Sequence, residues 1–166
     1  MAGARSFRPR ALRMRVELFV NLVFTSKVSK QSRPALEELM FFNPSQFRVR
    51  EGIINSLEKF GHPRLEEAGD SLVVRVGVSD AQTLFAYNAD SKIKDPIGMV
   101  AFLRTSPSEI AIMHLAVRVE YALQNRKQGD LGLGIVLIEK VKEIATRIVG
   151  VERIVFFYRQ NAVIRL

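Results

Sequence analysis

The stretch "EIAIMHLAV" (Glu109–Val117) is apolar at successive positions, so neither of its faces suits water. As a strand it belongs inside a sheet covered on both sides. After it come a polar segment and three glycines (Gly129, Gly132, Gly134). An amphipathic run follows, with Leu137, Ile138, Val141, Ile144, Ala145 and Ile148 on its inward side, then Gly150 as a stop and a second apolar run, "RIVFFYR" (Arg153–Arg159). Strand, helix and strand in that order predict a parallel, right-handed crossover, because the helix must cover a face that both strands share.

The rest of the chain is arranged around that unit. "VELFVNLVF" (Val16–Phe24) is β-branched and aromatic and predicts a strand. "SRPALEELMFF" predicts a helix with Ser32 as its cap, Pro34 in the first turn, and Leu36, Leu39 and Met40 on one face. Asn43-Pro44 restarts a helix that carries Val49, Ile53, Ile54, Leu57 and Phe60 and is closed by Gly61 and Pro63. Leu72–Val78, Thr83–Tyr87 and Ile97–Leu103 predict three more strands, the last two separated by the polar turn "NADSKIKDP". The expected class is α+β (mixed α/β): a central, mostly antiparallel sheet, one parallel strand–helix–strand crossover, and helices on both faces. No internal repeat interrupts it.

Length and charge bound the function. A chain of 166 residues forms one domain with a full core. Its net charge of +8 is unevenly placed: residues 1–33 hold eight Lys/Arg and one acid, and the remaining residues hold 17 basic and 16 acidic side chains. Residues 1–15 therefore read as a basic, poorly ordered leader, and 16–166 as a single near-neutral domain. A secretory signal is not expected, since the leader has no apolar stretch. The absence of cysteine excludes disulfides and thiolate metal sites, and two histidines are too few for a histidine-rich one, so no metal is expected. No apolar run reaches the roughly 20 residues of a membrane-spanning helix. The expected location is cytoplasmic, with organellar targeting by the Arg-rich leader as the alternative.

The glycines stand between a buried strand and a helix start. Gly129, Gly132 and Gly134 permit positive φ and close approach of a ligand, and a helix N-terminus offers unpaired N–H groups with a partial positive charge. An anion site and a plain turn both fit that spacing. A P-loop is excluded because no Lys-Ser or Lys-Thr follows, and a Rossmann turn fits poorly this late in the chain.

The flanking residues "HLAVRVEYALQNRKQGDLGLGIVLIEKVKEIA" resemble the cofactor motif of the GNAT family of acetyl-CoA-dependent N-acetyltransferases. Leu115-Ala116-Val117 match the end of that family's central strand, Glu120-Tyr121 the start of its loop, and Gly132-Leu133-Gly134 its pyrophosphate turn. The order of elements agrees over roughly residues 14–162. The resemblance implies that the backbone of Leu115, Ala116 and Val117 pairs with the pantetheine arm of acetyl-CoA (coenzyme A). It further implies that the turn Gly129, Asp130, Leu131, Gly132, Leu133 and Gly134, with Asn161, holds the rest of the cofactor. Val119 stands in place of the family's proline, the loop before the turn is longer, and Gly129 takes an Arg/Gln position. Asn161-Ala162 match the head of a helix whose tyrosine is the family's general acid, but four residues follow them, so the C-terminus reads as shortened.

Acetyl transfer to an amine needs a base for the ammonium and an acid for the leaving thiolate. The candidates are His114, Glu120 at the strand's exit, and Tyr158 on the last strand. Strand alternation would set His114 opposite Met113 and Ala111, and a core histidine is the plainer reading. Likewise, a solvated carboxylate is the plainer reading of Glu120, and a core aromatic of Tyr158. The expected function is an N-acetyltransferase acting on an amine of a small molecule or protein. The alternatives are a non-catalytic acyl-CoA-binding module and a basic-arm nucleic-acid-binding protein. A homodimer is expected to cover the edge left by "RIVFFYR", unless Val163–Leu166 fold back and leave a monomer.

Overall fold

The computed structural model describes residues 21–122, 132–156 and 162–166. The basic leader and residues 16–20 of the first predicted strand lie outside them. The described chain begins with β1 (Leu22–Thr25) and the two-residue β2 (Val28–Ser29), followed by α1 (Arg33–Phe41) and α2 (Arg50–Phe60). Next come β3 (Pro63–Ala68), β4 (Ser71–Val76), β5 (Ser79–Asp80), β6 (Gln82–Asn88), β7 (Gly98–Ser106) and β8 (Glu109–Val117). The crossover helix α3 (Leu133–Ala145) leads to β9 (Arg153–Phe156) and β10 (Val163–Arg165).

The fold is mixed α+β, built on a six-stranded sheet in the order β1-β6-β7-β8-β9-β10. Every pairing in it is antiparallel except β8–β9, which is parallel, as the crossover requires. Helices cover both faces. Leu36, Leu39 and Met40 of α1 pack with Phe85, Met99, Ala101 and Met113 on one side. Leu133, Leu137, Val141 and Ala145 of α3 pack with Val100, Phe102, Ile112 and Ile154 on the other. That α3 stripe repeats every four residues and is completely buried. Each of its leucines and its valine contributes roughly 1.5–3 kcal/mol of transfer free energy. The approach is close enough to specify Gly98 in β7, where an added Cβ would stand 2.8 Å from Leu133 Cδ2 and 3.2 Å from Leu137 Cδ1.

Four expectations are corrected. First, the strands do not all join one central sheet: β2, β4 and β3 form a second sheet, with β5 paired to β4. Its core strand β4 alternates cleanly, with Leu72, Val74 and Val76 buried. Its edge strand β3, "PRLEEA", escapes a period-two reading because it offers one large apolar side chain, Leu65; its outer face carries exposed charge, including Glu66–Arg75 at 2.8 Å. Second, Ser32 does not cap α1. A 3-10 turn (Lys30–Ser32), whose Gln31 N–H donates to Ser29 Oγ, runs straight into the helix, so Ser32 already has φ −86° and ψ 9°. An N-cap needs extended backbone instead. Third, Ile54 points outward at 42% exposure, and the buried positions of α2 are Gly52 and Ser56. Small residues there let the helix axis approach the sheet. Fourth, β9 is not an open edge. Val163, Ile164 and Arg165 fold back and pair with Val155, Ile154 and Arg153, which removes the reason given for a covering second copy.

Candidate active site

The site lies along β8, which β9 accompanies from its start. Their parallel pairing runs from Glu109↔Arg153 to Ile112↔Phe156. It is pinned at its start by Arg153 Nε donating to Glu109 Oε2 at 2.9 Å, while Thr105 Oγ1 donates to Oε1 at 2.7 Å. The Thr105 hydroxyl, opposed by burial and assisted by the Arg153 guanidinium, holds the Glu109 carboxyl below its ordinary pKa. Beyond Ile112, β8 continues to Val117 with β7 on one side.

Met113 is an extra residue in that ladder: Ala101 faces His114 while Phe102 faces Ile112. Such a bulge re-aims side chains. It breaks the alternation expected for His114, which here shares one pocket with Met113 instead of lying opposite it. The register also turns the backbone N–H and C=O groups of Met113, Leu115 and Val117 away from β7. Two of these carbonyls accept from buried side chains, Met113 O from Ser56 Oγ at 3.1 Å and Val117 O from Asn43 Nδ2 at 2.7 Å. Neither residue stands out in the sequence as part of a site. The available signal is Gly52 and Ser56, two small residues four apart on an otherwise amphipathic helix, together with an Asn that does more than precede a proline.

The first turn of α3 lies against this strand. A Cβ added to Gly134 would meet Leu115 Cδ2 at 3.7 Å and Val117 Cγ2 at 3.8 Å, ordinary contact distances, so packing does not demand glycine there. Gly132 is the N-cap, with φ −65° and ψ 150°, and its C=O accepts from Ile135 N and Val136 N. Gly132 and Gly134 therefore lack the positive φ expected of them; positive φ occurs at Gly61, Gly69, Gly77 and Gly150. The reason is local, since an N-cap is extended and a first-turn residue is helical. No side chain caps α3 and its first turn carries no acid, so nothing among the described residues offsets the partial positive charge of its N-terminus. Gly129, Asp130 and Leu131 lie outside the described residues, as do Tyr158 and Asn161.

Leu133 is fully buried, so its side chain serves the core and its backbone alone is available to a ligand. Leu115 and Val117 face the α3 side and Ala116 the α1 side. His114 is buried in a cavity of ≈ 20 Å³ bounded by Ile53, Ser56, Leu57 and Val76. Burial lowers its pKa to about 4, opposed by a hydrogen bond to the Met40 backbone. The imidazole is neutral at pH 7, and it is enclosed. Glu120 is exposed on the 3-10 turn Val119–Tyr121 that follows β8 directly. Flanking Asn43, the α1–α2 segment presents Phe42 at 76% and Phe47 at 82% exposure.

Among the described residues no group of His, Cys, Asp or Glu could hold a metal ion, and no helix is long and apolar enough to cross a membrane. Comparison of the chain with protein-family models, curated proteins and solved structures finds no match, so its site is read on its own geometry.

Proposed function

We propose that the chain is an acetyl-CoA-dependent N-acetyltransferase that moves an acetyl group onto an amine. The observation that carries this reading is the glycine-fronted start of α3, with no side-chain cap or first-turn acid among the described residues, lying against the end of β8 at Leu115 and Val117. The residues present fit the cofactor. The amides of Gly132, Leu133 and Gly134 suit a pyrophosphate, and the pantetheine arm would run along the end of β8 beside them. The space into which a Gly134 Cβ would point lies between the two. The order of β1, β6, β7 and β8 followed by a crossover to β9 supports the same reading.

The bound cofactor supplies an acetyl thioester. The chain's part is to orient it and to take a proton from the incoming ammonium. Glu120, solvated and directly after β8, suits that task through a water better than His114, which is enclosed and weakly basic. The exposed Phe42 and Phe47 favour an acceptor with an apolar body. The burial of His114 also favours a second reading, an acyl-CoA-binding module without transfer.

At about 100 times its dissociation constant, acetyl-CoA should stabilise the fold by roughly 2.7 kcal/mol, seen as a rise in Tm. Gly134→Ala should leave the unliganded protein as stable or slightly more so, because the new Cβ meets ordinary contacts and alanine favours helix. The same change should remove the acetyl-CoA shift. A wild-type Tm unmoved by millimolar acetyl-CoA overturns the proposal. Binding without acetylation across a panel of amines selects the second reading.

A further inference from the structure

We propose that a cleft remote from α3's first turn, where the two sheets part, binds the C-terminal end of a short, extended, apolar peptide. β1 is paired with β6 as far as Thr25↔Phe85. At Ser26 it turns away to enter the second sheet, its turn held by Lys27 N–H donating to the Thr25 hydroxyl at 3.1 Å. β6 begins earlier, at Gln82, so Gln82, Thr83 and Leu84 are paired with β7 on one side and, among the described residues, face no strand on the other. Alternate residues of an antiparallel strand send their N–H and C=O to opposite sides. The Ala86 carbonyl accepts from Ile97 on the β7 side, so the backbone groups of Thr83 point to the side that β1 has left. Beyond them, across an open cleft of ≈ 580 Å³, stand Ser71, Leu72 and Val73 of β4.

That geometry selects the ligand. A strand-edge N–H and C=O pair two residues beyond the last rung is complemented by one peptide unit, which accepts and donates at matching spacing. Leu72, Leu84, Phe102 and Ile144 supply apolar walls for its side chains. Lys27 lines the same cleft, and among the described residues no acidic side chain does. Among the described residues its ammonium has no ion-pair partner, whereas that of nearby Lys30 is taken by Asp70 at 3.4 Å. A free carboxylate therefore matches the charge. The volume suits about three residues, within the range of small-ligand sites.

The test is a ¹⁵N–¹H NMR titration of the full chain with N-acetyl-Val-Leu-Val bearing a free carboxylate. The expected result is saturable shifts at the Thr83 and Ser71 amides. Affinity should fall about tenfold for the peptide's C-terminal amide, for Lys27→Met with the acid, and for at least one N-methylated version of the peptide. These comparisons change the ligand or an exposed side chain, so they do not depend on a variant that threatens the fold. No saturable shift at about 5 mM overturns the proposal, as do equal affinities for acid and amide, equal affinities for all N-methylated peptides, or shifts centred on α3's first turn. Octanoate binding as tightly as the peptide would also overturn it, since it lacks the amide.

Discussion

Gly77→Ala should destabilise the protein by about 4 kcal/mol, enough to leave much of it unfolded at a typical domain stability. Gly77 has φ +60°, which alone costs a side chain about 1–2 kcal/mol. The larger part is steric. A Cβ would stand 2.2 Å from the carbonyl oxygen of Phe60, the last residue of α2, and a Cβ on the facing Gly61 would stand 2.9 Å from Gly77 Cα. Backbone meets backbone here, so no rotamer change relieves the clash. Either α2 lifts from the small sheet or the turn between β4 and β5 opens. Gly69 is the control: its φ is +65°, but a Cβ there meets nothing within 4 Å. Gly69→Ala should therefore cost only the strain, about 1 kcal/mol. Urea unfolding of both variants at pH 7 measures the difference. Equal losses would show that the contact between α2 and the β4–β5 turn is not as close as described.

Acid should weaken the fold through His114 by roughly 3 kcal/mol, the value of a pKa lowered from 6.5 to about 4. Above pH 6.5 the imidazole is neutral in folded and unfolded chains alike and leaves stability independent of pH. Below 6.5 the unfolded chain takes up a proton that the folded chain refuses, so stability falls as pH drops, until the folded form titrates near 4. The walls bounding the imidazole, Ile53, Ser56, Leu57, Val76 and Met113, carry no acid to offset the cost. His114→Gln should flatten the loss between pH 7 and pH 4.5 while lowering stability at pH 7. A variant with the wild-type slope would mean that other groups carry the acid sensitivity and that His114 is wetter than its surroundings imply.

The two outcomes also bear on the candidate site, because α2 joins them. Its C-terminus rests on Gly77, its Ser56 holds the Met113 carbonyl, and its inner side closes over His114. Movement of α2 would disturb the end of β8 proposed for the cofactor. Acetyl-CoA binding should therefore weaken in Gly77→Ala before the protein unfolds.

What could be read from the chain were the features set by local periodicity and by the sum of apolar surface. "EIAIMHLAV" needed two covers and has α1 on one side and α3 on the other, and the stripe through Leu137 and Val141 placed the crossover helix. Gly61 stops α2 as expected, but α3 ends at Ala145 with Thr146 as its C-cap, short of the Gly150 stop and of Ile148. Elements too short or too polar to show a period were silent, which is why β2, β3 and β5 and the second sheet they form went unread. The bulge at Met113 was equally hidden, because one extra residue changes no composition yet moves His114 to the other face of the strand. The sequence by itself determined the α+β class, the parallel crossover and the glycine-fronted helix, all consequences of side-chain pattern within single elements. Tertiary structure alone decided that Asn43 and Ser56 reach the β8 carbonyls, that Gly77 meets Phe60, and that Val163–Arg165 close the edge of β9. Each of these joins separate elements, and such contacts are fixed by how packed elements meet rather than by any pattern within one of them.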